Sequence, residues 1–466
     1  MLCDINPVPP VAAPLPPPPA SPPSGQRVRV GIDAAITANH HVAVRSIDRD
    51  GTAVTSRFVL APTLSGLNAL SRRLGAYPGV VAVAEPTSMT WLPLAVALHD
   101  GGGQLALVGS RHAARLRGAI SGKNKSDVID ADVLARAGEV FDLRPLVLPS
   151  PGQLALRRVV TRRGDAVIDA NRYLRRLISL ARWAFPDVWN GFGGSLPTAK
   201  AVLGRWPHLE QLAAARRSSL TAVVAEHTRS VPDVPARVEQ IRAAARDWAT
   251  FWEGHLDLDA LAFDVSEHLD DLSAAAGRVQ RATTQTTHYW ERLYGDDPLL
   301  TSIPGMGPIT APTVRAFLGD GHGFATAKAA ASYVGITPSN WSSGTVSQPS
   351  RAITKEGPAV LRLAFYQAAN AARRSDPQLA CFYHRLMTGR GHCHTQATVA
   401  VARKLVERTW TVLDRGSGYH LRDLDGQPIT ERAAKALIAE RYTVDADVRA
   451  RARAHSAATH RAKLTR

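Results

Sequence analysis

A chain of 466 residues with 45% hydrophobic and 21% charged side chains holds apolar material for two or three ordinary cores, and too little charge to be disordered throughout. Its 56 lysines and arginines against 40 aspartates and glutamates give a formal net charge of +16, which points to a polyanion such as nucleic acid, or less often an anionic membrane surface. Three cysteines exclude a disulfide scaffold and suit a reducing cytoplasm, and no long uninterrupted apolar span marks an ordinary helical membrane protein.

Residues 1–26 are dominated by proline, including Pro16–Pro19, and are expected to stay extended outside the fold, with no secretory signal among them. Residues 27–150 read as an α/β domain. Val28–Ile32 alternates and ends on Asp33; His41–Ile47 and Ala53–Leu60 alternate again about an Asp-Arg-Asp-Gly turn. Thr63 caps a helical pattern, Val80–Ala84 is a fully apolar strand ending on Glu85, and helices and a strand alternate through Ala137. Three antiparallel strands followed by alternating helix and strand is the element order of an RNase H-like domain. Residues 151–295 turn helical and basic. A long amphipathic helix over Leu156–Ala184 carries an arginine face, and Leu209–His227 and Val238–Phe263 suit a coiled-coil-like arm. Residues 296–418 form a second compact, mostly helical domain, and 419–466 a basic helical tail.

Four carboxylates stand out in the first domain. Asp33 and Glu85 end strands that would bring them to one sheet edge, and Asp127 and Asp130, three apart on a helix, share a face. Clustered carboxylates repel, and a divalent cation relieves the repulsion; hard oxygen donors select magnesium, or manganese. Each acid taken alone reads better as a helix cap or solvated surface group, and only the combination points to a metal site. Arg115, Arg117, Lys123 and Lys125 approach that helix and could hold a phosphate backbone, or simply solubilise a loop. Arg158, Arg162, Arg172, Arg175 and Arg176 make the arginine face. Gly305 and Gly307, within Ile303–Ala311, form a helix-hairpin-helix-type turn whose amides could face a phosphate, although glycines also simply make turns. Ser343 precedes Gly344 in an expected flexible loop with Arg351, Lys355 and Arg362 nearby; by itself it reads as a turn residue. His392-Cys393-His394 lacks the partner set of a structural zinc site and reads as incidental.

In order and spacing, Gly31-Ile32-Asp33, Ala84-Glu85-Pro86-Thr87, Asn124–Ala131, Ser302–Gly307, Val334–Pro338, Ser343-Gly344, Ile353–Gly357 and Leu361-Arg362 resemble the DEDD transposases of the insertion-sequence 110 class, the bridge-RNA-guided recombinases. The resemblance covers roughly Val28 to Gly416. It implies a RuvC-like domain, a coiled-coil arm, and a transposase domain bearing a serine. Asp33, Glu85, Asp127 and Asp130 would be the magnesium-binding tetrad, and Ser343, which follows Ser342, the nucleophile that becomes linked to DNA. It further implies double-stranded target and donor DNA and a structured non-coding guide RNA. Dimers would pair into tetramers, with a composite site drawn from two subunits, in a bacterial, nucleoid-associated setting. The sequence departs from the family after Glu85, where Pro86-Thr87-Ser88 replaces the usual Ala-Thr-Gly. The expected activity is magnesium-dependent strand cleavage and exchange for an insertion element. A hydrolytic RuvC-like nuclease and a catalytically inactive nucleic-acid-binding protein are the alternatives.

Overall fold

The computed structural model describes residues 27–122, 124–228, 233–338, 341–343, 346–348 and 352–464, which fall into two compact units divided between Ser150 and Pro151. Among the described residues no helix is long and apolar enough to cross a membrane.

The first unit is a five-stranded mixed sheet between helical layers. Its strands are β1 (Arg27–Asp33), β2 (His40–Ile47), β3 (Ala53–Leu60), β4 (Val81–Ala84) and β5 (Gln104–Leu107), in the order β3-β2-β1-β4-β5. β1 pairs antiparallel with β2 and parallel with β4, which pairs parallel with β5. Period-2 patterning explains the layers. Val30, Ile32, Val42, Val44, Ala82 and Ala84 project into a core with α1 (Leu64–Leu74) and α2 (Trp91–Asp100). Val83, one residue out of phase, packs on the opposite face with Leu134 and Ala137 of α4 (Asp127–Val140); α3 (Ser110–Ser121) lies beside α4. Thr63 and Ser126 cap α1 and α4 by accepting from the amides of Gly66 and Ile129.

Among the described residues, the regular structure of the second unit is helical apart from one hairpin. α5 (Pro151–Ala184, 34 residues) and α11 (Leu258–Tyr294, 37 residues) pack along one another, each joining two separate cores. At one end, α6 (Pro186–Gly191), α7 (Leu196–Arg205), α8 (Leu209–Ala214), α9 (Arg217–His227) and α10 (Val234–Trp252) surround Phe185, Val202, Leu212 and Ile241. The continuous helical stretches expected over 209–227 and 238–263 are each divided. The first breaks at Ala215-Arg216, and the second at 253–257, where Gly254 has φ +72°. At the other end, Leu156, Trp290, Val314, Phe365 and Leu405 share a core. Around it lie α12 (Pro298–Thr301), α13 (Thr310–Leu318), α14 (Ala327–Val334), α15 (Ala359–Ala372), α16 (Pro377–Thr388) and α17 (His394–Arg415). β6 (Trp341–Ser343) and β7 (Val346–Gln348) form the antiparallel hairpin. The segment expected as a basic tail contains α18 (Glu431–Arg441) and α19 (Ala446–Leu464), and its Val444 and Ala452 are buried in that same core. Val444, Val448 and Ala452, four residues apart, give this segment a face to bury, which its arginine content hides in the sequence.

Candidate active site

Parallel pairing of Ile32 with Ala84 sets Asp33 and Glu85 side by side where β1 and β4 end. The other two acids arrive on α4, and Gly31 is what admits that helix. A Cβ at Gly31 would stand 2.1 Å from the Ala131 carbonyl oxygen and 2.2 Å from the Ala135 nitrogen, so α4 crosses β1 at backbone contact. The Ser126 cap then fixes where the first turn begins, and Asp127 and Asp130 both lie in that turn, near the positive end of the helix dipole.

These four carboxylates act on one another. Asp33 is pushed up to about 6, first by burial, then by the charges of Asp130, Asp127 and Glu85, with His41 opposing. Asp130 is buried and accepts from Arg117 Nη1 at 2.6 Å; Asp127, largely exposed, lies 3.7 Å from His41 Nε2. His41 was not singled out in the sequence, although the antiparallel register that pairs it with Asp33 was within reach of the strand pattern. The remaining acids of α4 face the sheet: Asp132 takes two hydrogen bonds from Arg57, and Glu139 one from Arg45. As they stand, no three His, Cys, Asp or Glu side chains among the described residues converge tightly enough to hold a metal ion. The donor set nonetheless suits a hard divalent cation, because oxygen ligands at a desolvated, mutually repelling cluster are what such an ion neutralises. Arg117 is its competitor for Asp130. Ser88, where the resemblance expects glycine, holds φ +52°, the left-handed conformation that glycine adopts without cost.

Arg115 and Lys125 are exposed, and Lys123 lies outside the described residues. On α5, Arg158, Arg162, Arg172, Arg175 and Arg176 are all exposed; Arg172 pairs with Asp169 at 3.0 Å. The Gly305–Gly307 turn departs from expectation. A Cβ at Gly305 would meet the Ala368 carbonyl oxygen at 2.2 Å, and the Gly307 amide, expected to face a phosphate, donates to Thr310 Oγ1 at 2.8 Å. The turn is occupied in closing α15 against α13.

Ser343 lies in β6, in register with Val346 of β7, and not in a loop without regular structure. Gly344 and Arg351 lie outside the described residues. Two of the motifs that carry the family resemblance meet at the base of the hairpin: Pro338 bridges Ile353, the Thr354 amide donates to the Thr337 carbonyl at 3.0 Å, and the Lys355 amide to that of Gly335 at 3.0 Å. Arg362, one of the basic residues that follow Ser343 in sequence, donates to the carbonyls of Gly357 at 3.0 Å and Val334 at 3.3 Å. Lys355 itself is exposed, with φ +57°. Arg362 thus helps tie together the two segments that flank the hairpin.

Two family models match the chain. One described as "Transposase" matches residues 30–186, and one described as "Transposase IS116/IS110/IS902 family" matches 297–384. The chain is 28% identical over 395 residues to the insertion element IS116 uncharacterized 44.8 kDa protein of Streptomyces clavuligerus, covering 83% of this chain and 94% of that one. It is likewise 28% identical to the insertion element IS110 uncharacterized 43.6 kDa protein of Streptomyces coelicolor, over 85% of this chain and 96% of that one. Over 116 residues, 25% of this chain and 36% of the other, it is 34% identical to the pilin gene-inverting protein of Moraxella lacunata.

Proposed function

Because the chain belongs to the IS116/IS110/IS902 transposase family and is a DNA-rearranging enzyme, we propose that it cuts and rejoins DNA strands through a covalent Ser343–DNA bond at a magnesium-dependent acidic site. The observation that carries the reading is the gathering of three further carboxylates around Asp33 at one end of the sheet, in a chain whose net charge is strongly positive. The strand order of that sheet, with helices on both faces, supports the RNase H-like assignment.

Asp33, Glu85, Asp127 and Asp130 would hold the divalent ion. When bound, such an ion supplies Lewis acidity that offsets charge developing on phosphate oxygens. The chain's own contribution is positional: the Gly31 contact and the Ser126 cap hold two acids over two strand ends, and Arg117 orients the buried Asp130 through a hydrogen bond of 2.6 Å. Attack by Ser343 Oγ forms one oxygen–phosphorus bond as the bond to the departing strand breaks. The proton lost by the serine balances that gained by the departing hydroxyl. A second strand's hydroxyl reverses the step, so bond energy is conserved without a nucleotide cofactor. The exposed arginines of α5 would bind nucleic-acid backbones, leaving sequence choice to base pairing with a guide RNA. Target and donor duplexes and a homo-oligomer of two dimers belong to the same proposal.

The test is a strand-exchange assay with a matched guide and DNA pair, followed by mass spectrometry of trapped mixtures. Ser343→Ala is expected to abolish both cleavage and the nucleotide adduct on the peptide carrying Ser342 and Ser343. Continued cutting by Ser343→Ala would show hydrolysis by water at the acidic site instead, the nuclease alternative.

A further inference from the structure

A cavity of about 1010 Å³ opens in the second unit, walled by the end of α15, the middle of α16, the start of α17, and both α18 and α19. None of its lining residues is assigned above to strand cleavage or nucleic-acid binding, and most lie beyond residue 384, where the matched family models end. Arg373, Arg374, Lys435, Arg449 and Arg453 line it, and no aspartate or glutamate does. Lys435 has Glu431 at 3.5 Å on its own helix, but none of the four arginines is paired with a carboxylate among the described residues. Uncompensated like charges gathered around a concavity are costly unless an anion enters. Their field is felt within the wall: burial first, then Arg373, Arg374 and Arg449, keep His394 below its ordinary value.

The rest of the lining narrows the anion's chemistry. Cys393 and Gln396 close a reciprocal cap at the start of α17, which leaves the next amides, those of His394 and Thr395, at the positive end of a 22-residue helix. The inner surface is apolar and aromatic, with Tyr383, Met387 and Val444 buried and Ile438 and Tyr442 half-buried. Tyr383 is held in place from two sides, by a 2.8 Å hydrogen bond shared with His394 Nδ1 and by the Arg373 guanidinium 4.3 Å from its ring centre. A bare phosphate would leave this floor uncovered. The volume reaches the upper end of the roughly 300–1,000 Å³ typical of ligand pockets, so it accommodates a base and sugar beside the phosphate. Arg390 and Arg451 are exposed and lie outside the lining.

We propose that this cavity receives one unpaired nucleotide of a nucleic-acid strand, its phosphate on Arg374, Arg449 and Arg453 and its base against Tyr383 and Met387. Aromatic stacking plus cationic backbone contacts is how single strands are held without a base code. His392-Cys393-His394 thereby acquires a purpose other than metal binding: it starts the helix whose amides face the ligand.

The experiment uses the full chain in EDTA, so that no cleavage is read and loss of the Ser343 chemistry would leave the result unchanged. Fluorescein-labelled twelve-residue single strands of one sequence, deoxy and ribo, are titrated by anisotropy against the parent, Arg374→Glu/Arg453→Glu, and the equal-charge control Arg390→Glu/Arg451→Glu. The expected result is at least tenfold weaker binding of one or both strands by the lining pair and less than threefold by the control; the strand showing the split is the one seated. Equal losses from the two pairs would overturn the proposal in favour of diffuse surface charge. Displacement of the strand by equimolar thymidine monophosphate would also overturn it, assigning the cavity to a free nucleotide. Because a variant may misfold, the parent is also irradiated on a strand carrying 5-iodouracil: an adduct on the Tyr383 or Tyr442 peptide is expected, and adducts only elsewhere refute the assignment.

Discussion

Asp33 shows how a single carboxyl group reports on its neighbours. Its proton is held up to about 6 in the fold against an ordinary 3.8, mainly because burial and three nearby acids disfavour the anion. The folded form therefore retains a proton that the unfolded chain has already released. Stability from this group is full below about pH 4, falls as pH rises through about 6, and is flat above. Asp33→Asn removes that dependence. In EDTA, urea midpoints of the variant and the parent should coincide near pH 4, and the variant should gain as pH rises to 7. Millimolar magnesium should stabilise the parent at pH 7 and leave the variant little changed. Ser88 makes the opposite point, a local cost carried by one backbone angle. At φ +52° a serine loses about 1 kcal/mol relative to glycine, offset in part by the greater freedom glycine has when unfolded. Ser88→Gly is expected to raise stability by up to about 1 kcal/mol; an unchanged or lower urea midpoint would mean that the angle carries no strain.

At the scale of elements, the acidic site depends on the contact between one helix and one strand. α4 approaches β1 at Gly31, is capped by Ser126, and is anchored outward by Arg57 with Asp132 and Arg45 with Glu139. Gly31→Ala inserts a methyl group 2.1 Å from the Ala131 carbonyl oxygen, so helix or strand must give way. Overpacking of this kind costs about 1–3 kcal/mol. The variant should unfold at lower urea and lose strand exchange more completely than its stability loss explains, since Asp127 and Asp130 shift away from Asp33. Exchange at the parent rate would show that the close crossing is not needed. The hairpin bearing Ser343 is supported differently, by backbone hydrogen bonds between two glycine-containing segments and by Arg362 reaching both.

Across the whole chain the formal charge is +16, and the exposed arginine face of α5 is one concentration of it. Each phosphate neutralised on duplex DNA contributes about 0.9 to the slope of log affinity against log salt. Replacing Arg172, Arg175 and Arg176 with alanine should flatten that slope by about 2–3, toward the lower figure because Arg172 is already paired with Asp169. An unaltered slope would place the nucleic acid elsewhere. The order of strands and helices in the first unit, the long basic helix, and the four acids as a set were all legible in the sequence. Hydrophobic periodicity and residue spacing along one segment carry that information. What only the tertiary structure decided is which polar groups are already engaged: Arg117 with Asp130, Arg362 with two carbonyls, the Gly307 amide with Thr310, and the C-terminal helices with the core. Those partners are distant in sequence or set by backbone geometry, and a donor's availability depends on what the folded chain brings within about 3 Å of it.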